Sequence, residues 1–128
     1  SAHHPKELAW AISSMMGIVP GWKLTAIFQP HLFTRTRDFA EDFAAALSKV
    51  DKLILLVIYP AREEPIPGVT SELIFDKVTA PEKVQLRKEE LMDYLRNEPI
   101  DVLATFGAGN IDRFIAPITE LLEERLKK

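Results

Sequence analysis

The chain has 128 residues, 47% of them hydrophobic and 27% charged, with a formal net charge of -3 and no cysteine. That length supports one domain with a real core, and the charge gives no global reason to bind nucleic acid or an anionic membrane, so an anion site has to be built locally. Without cysteine, disulfides, thiolate metal sites and cysteine nucleophiles are excluded and a cytoplasmic location is permitted; the longest apolar run, LILLVIY at 53–59, is too short to span a bilayer.

The first residues, SAHHP, carry no initiating methionine and no signal-peptide pattern, which points to a processed product or a piece of something longer. Pro5, Leu8, Ala9, Ile12, Met15 and Met16 then recur at helical spacing, with proline in the first turn and Gly17, Pro20 and Gly21 as the stop. Lys23 to Phe28 reads as a strand apolar enough to be covered on both faces. After the turn QPHLFTRTRD, the spacing of Phe39, Phe43, Ala44, Leu47 and Val50 predicts a second helix. Leu53 to Tyr59 is a second buried strand, followed by the polar, proline-punctuated loop PAREEPIPG and a short helix over 71–78 with serine or threonine as its cap. Val84 to Leu86 reads as a short strand, Leu91, Tyr94 and Leu95 as a helical stripe ended by Pro99, and Ile100 to Phe106 as the last strand. Ile111, Phe114, Ile115, Ile118, Leu121 and Leu122 give a final helix that Pro117 should kink or restart.

This alternation, without a break in composition, predicts one open α/β domain with a mostly parallel sheet and helices on both faces. Ligands in such sheets bind at the carboxyl ends of the strands, where the strand order reverses. Three loops qualify: QPHLFTRTRD, YPAREEPIPG and FGAGNID.

In the first loop, Arg35 and Arg37 can hold a carboxylate or phosphate bidentately, and His31 can donate a hydrogen bond or move a proton. The other reading pairs the arginines with Asp38, Glu41 or Asp42 in solvent; position at a strand end, before a helix start, favours the anion site. In the second loop, Glu63 and Glu64 read as solvated. In the third, Gly107 and Gly109 allow close backbone approach and Asn110 can cap the next helix, but Asp112 stands where a dinucleotide fingerprint needs its third glycine. His3 and His4 are adjacent, which is not the helical spacing that puts two metal ligands on one face, and no metal site is predicted. No G-x-x-x-x-G-K-[ST] and no G-x-S-x-G occurs. The residues alone lead to an α/β domain with an anion-binding edge and name no reaction.

HHPKEL, FQPHLFTRTRDFAEDF, YPAREEPIPG and FGAGNI, in this order and spacing, resemble the C-terminal domain of the Mur ligases, in the branch that joins L-alanine to UDP-N-acetylmuramate. The resemblance spans essentially the whole chain. It implies a Rossmann-like third domain, residues 1–128, of a three-domain ligase whose UDP-binding and ATP-binding domains lie elsewhere, which accounts for the missing phosphate loop. It implies ATP-dependent amide synthesis through an acyl phosphate in peptidoglycan biosynthesis, with small-molecule substrates L-alanine, UDP-N-acetylmuramate and ATP. ATP and Mg2+ belong to the full enzyme; this domain alone is expected to bind neither and to be inactive.

Carried over by position, Arg35 is implied to hold the alanine carboxylate, with His31 beside the pocket and Arg37 as support. His3 and His4 are implied at the junction of substrate and nucleotide, and Gly107, Gly109 and Asn110 in shaping the pocket. Leu32 departs from the pattern, since many members have arginine there, and Ser1 stands where the family has tyrosine, as a residue left by a cut inside the motif would. The sister ligase that recycles murein tripeptide, and a non-catalytic α/β anion-binding module, are the competing readings.

Overall fold

The computed structural model describes residues 4–107 and 115–126. Along the chain run α1 (Pro5–Ile18), β1 (Leu24–Gln29), α2 (Phe33–Leu47), β2 (Lys52–Leu56), α3 (Glu72–Phe75), β3 (Glu82–Leu86), α4 (Leu91–Arg96), β4 (Val102–Gly107) and α5 (Ile115–Leu126). The strands form a parallel sheet in the order β3-β2-β1-β4. The order reverses at β1, so the crevice that such sheets offer a ligand opens between the carboxyl ends of β1 and β4.

The period-2 alternation of strand side chains divides the core. Leu24, Ala26 and Phe28 of β1, with Leu53 and Leu55 of β2, pack under Leu8 and Ile12 of α1 and Phe43 and Leu47 of α2. Ile27, Ile54 and Leu56 point the other way, to Leu91 and Leu95 of α4 and Ile118 of α5. Both central strands are buried along their whole length, as their near-continuous apolar sequence predicts.

Several boundaries differ from the sequence reading. The helix expected near Phe39 begins at Phe33, so FTRTRD is helix rather than turn; the regular geometry breaks at Phe39 (φ -121°, ψ 18°) and resumes. β2 ends at Leu56, but Tyr59 rejoins β1 through a parallel bridge to His31, with one extra residue on its side, as in a β-bulge. The helix expected over 71–78 is limited to Glu72–Phe75, and it is Thr70 rather than Ser71 whose hydroxyl accepts from its first turn, at 3.2 Å. Pro117 lies in the opening of the described α5, which continues past it in one run. Ile111 and Phe114 lie outside the described residues.

Candidate functional site at the carboxyl end of the first strand

β1 delivers Gln29, Pro30 and His31 to the crevice, and α2 starts two residues later. Proline has no N–H, so the main chain here is tied by its neighbours: the Tyr59 amide donates to the Pro30 carbonyl (2.8 Å) and the Leu32 amide to the Tyr59 carbonyl (2.9 Å). The His31 ring stacks on Tyr59 with centroids 5.8 Å apart and planes at 17°. Leu32, the cap residue of α2, sits at φ 72°, a region that side chains other than glycine rarely enter, and it has no group with which to cap a helix.

The acceptor that α2 needs comes from the second loop. One Glu63 carboxylate oxygen accepts from the amides of Phe33 (2.6 Å) and Thr34 (3.1 Å), and the other from the Thr34 hydroxyl (2.5 Å). Glu63 is therefore not the solvated residue that its polar loop suggests. The Thr34 hydroxyl holds its carboxyl below the usual range, helped against desolvation by the two amides and the Arg37 charge. The signal in the sequence is the misfit: leucine cannot cap, so a helix that starts after Leu32 must borrow its acceptor.

Arg35 lies on the first turn of α2, half-buried, one residue beyond the two amides that Glu63 holds. Arg37 is exposed and donates to Asp38 (2.9 Å), a contact that raises the arginine and lowers the aspartate from their ordinary values. This is the pairing that the alternative reading foresaw for one of the two arginines. Residues two apart on a helix do not share a face, so Arg35 and Arg37 are not built as one clamp on this backbone.

On the other wall, Gly107 ends β4 directly beside Gln29. Its φ is 130°, and a Cβ there would lie 2.6 Å from the Gln29 carbonyl oxygen, so the junction requires glycine. Gly109, Asn110 and His3 lie outside the described residues. His4 caps α1: its Nδ1 accepts from the Lys6 amide (3.1 Å), and its ring lies 5.4 Å from that of Phe39. No three His, Asp or Glu side chains gather as a metal seat among the described residues.

The family profile described as Mur ligase, glutamate ligase domain matches residues 1–109. The chain belongs to the Mur ligase C-terminal domain family. Among curated relatives of this Mur ligase domain, a UDP-N-acetylmuramate--L-alanine ligase of Parabacteroides distasonis is 58% identical over 99% of the chain and 28% of its own length. A ligase of the same name from Phocaeicola vulgatus is 53% identical over 97% of the chain and 27% of its own length. The chain thus spans little more than a quarter of these relatives. A crystal structure of a UDP-N-acetylmuramate-alanine ligase from Thermotoga maritima superposes with a TM-score of 0.74 at 22% identity, covering 97% of this chain and 26% of that one, which supports the fold.

Proposed function

We propose that this domain is the C-terminal, amino-acid-binding part of a cytoplasmic, ATP-dependent ligase that joins L-alanine to UDP-N-acetylmuramate in bacterial cell-wall synthesis. One observation carries the reading: relatives as similar as 58% over 99% of the chain bear that ligase's name. The likeness to a domain assigned to a UDP-N-acetylmuramate:L-alanyl-gamma-D-glutamyl-meso-diaminopimelate ligase of Haemophilus ducreyi, at 16% identity and a TM-score of 0.66, supports the shared fold alone.

In this reading a carboxylate of the sugar nucleotide is activated as an acyl phosphate at the expense of ATP, and the alanine amine attacks it, releasing phosphate. The part of this domain is to hold alanine. Arg35 binds the carboxylate of the amino acid, so that its amine is aimed in line, and the contribution comes through orientation rather than proton transfer. His31, fixed by Tyr59, stands beside that pocket. Arg37 would have to leave Asp38 to add a second contact. Gly107 shapes the wall, with Gly109 and Asn110 continuing it, and His3 and His4 stand at the junction with the nucleotide. Closure of the domain over the other two would exclude water from the acyl phosphate.

The test is the complete ligase, assayed for phosphate release from ATP. Release that depends on both L-alanine and UDP-N-acetylmuramate, and is absent from the 128-residue chain alone, is the expected result. Turnover without alanine would contradict it.

A further inference from the structure

We infer that Glu63 is a positioning residue of the carboxylate site: it fills the amide end of α2, leaving an incoming amino-acid carboxylate to the Arg35 side chain, and it fixes the turn on which Arg35 rides. The inference rests on the function proposed above and goes further, because it assigns a role to the loop after β2 and to an acidic residue beside an anion site.

A helix start facing a ligand crevice is ordinarily an anion seat. Here that seat is taken by the protein itself. Both Glu63 oxygens are engaged, accepting two amides and one hydroxyl from consecutive residues, Phe33 and Thr34. A second carboxylate approaching those amides would meet a like charge, so α2 offers an amino acid its guanidinium and not its backbone.

The same loop fastens the helix start twice. Tyr59 accepts from the Leu32 amide, and four residues later Glu63 holds Phe33 and Thr34. Between them the chain turns at Ala61 (φ 53°), closed by the Glu63 amide donating to the Pro60 carbonyl (2.9 Å). From the helix side, the Thr36 amide (3.2 Å) and hydroxyl (2.9 Å) both donate to the Leu32 carbonyl. Leu32 keeps its unfavourable backbone because it is held from both directions, and this is the condition under which strain persists at a functional site. Arg35 directly follows Thr34. Loss of Glu63 would open the first turn and move Arg35 without removing any group that touches substrate.

Protonation should act like a partial deletion. The Glu63 carboxyl lies below its ordinary value in the folded chain, so its contribution is complete above the unfolded value near 4.5 and is lost as pH falls through the folded one. The experiment has two arms. In the chain itself, NMR should show the Phe33 and Thr34 amides titrating together on a single carboxyl step at acid pH, and the step should vanish in Glu63→Gln. In the complete ligase, Glu63→Ala should raise the KM for L-alanine about tenfold or more with the KM for ATP unchanged, and Glu63→Gln, which keeps an acceptor for both amides, should recover most of that. Amides that do not titrate, an unchanged alanine KM, or a uniform loss of activity that Gln does not rescue would overturn the inference. A wild-type ligase without alanine-dependent turnover would break the functional reading instead, since the amide titration still decides whether Glu63 holds the helix.

Discussion

The two ends of the sheet use charge in opposite ways. At the amino end, acids and bases close on one another and on the main chain. Asp51 accepts from the Leu24 amide (2.7 Å), Asp101 from the Lys23 amide (3.1 Å), and Lys23 donates to Glu82 (3.1 Å). Lys52, almost fully buried, donates to Glu98 and stands 4.9 Å from the Tyr94 ring centre. Burial alone would lower its pKa, but Glu98 and Tyr94 outweigh it and the value is raised. At the carboxyl end, the main chain departs from easy geometry: Leu32 and Ala61, the non-glycine residues with positive φ among those described, both lie there, and one carboxylate ties a loop to a helix start. At the amino end these charges are paired with one another or with main-chain amides, whereas the carboxyl end keeps strain and an arginine on the first turn of a helix. That difference, more than the presence of charge, sets the candidate site apart from the rest of the sheet.

Substitutions can break this contrast. The largest effect is expected at the crevice wall, where Gly107→Ala drives a methyl group into the Gln29 carbonyl and imposes a forbidden φ. A loss of about 3 kcal/mol in urea unfolding is predicted. A cost below roughly 1 kcal/mol would mean that the junction relaxes easily, against the wall described here.

Next comes the amino end. Lys52→Met leaves Glu98 without its buried partner and should cost about 2 kcal/mol. In the complete ligase the same change should leave the KM for alanine where it was, because the amino end lies across the sheet from the site. A raised alanine KM would erase the distinction between the ends.

The smallest effect sharpens the account of strain. At most positions glycine destabilises more than alanine, but at Leu32 the order should invert, with Leu32→Gly more stable than Leu32→Ala by about 1 kcal/mol. Paired unfolding curves check this, and the ordinary order would show that Leu32 carries no strain.

Much of the fold was legible because it depends on local pattern. The near-continuous apolar runs at β1 and β2 announced strands buried on both faces, and the spacing of Leu8 and Ile12 announced the buried side of α1. The start of α2 was not legible. FTRTRD has no apolar stripe, and what makes it helical is a carboxylate 29 or 30 residues away in sequence. Glu63 and Glu64 look alike in the sequence, and only the packing of their loop on the helix start separates them. The need for glycine at 107 is likewise set by the register of β4 on β1, a long-range fact. At the site, position after a strand drew attention to Arg35 and Arg37 alike, the preference for Arg35 and the place of His31 came from the family resemblance, and the pairing of Arg37 with Asp38 is what the helix adds.

The most direct test of the central claim, that Arg35 holds the alanine carboxylate, is to assay the complete ligase on L-alanine and L-alaninamide, which lacks that carboxylate, with and without Arg35→Ala. The account predicts that the wild-type enzyme favours alanine by about a hundredfold or more in kcat/KM and that Arg35→Ala lowers that ratio to within roughly tenfold of unity, the KM for ATP being unchanged. A discrimination ratio that survives the substitution intact would place the carboxylate on another residue and contradict the claim.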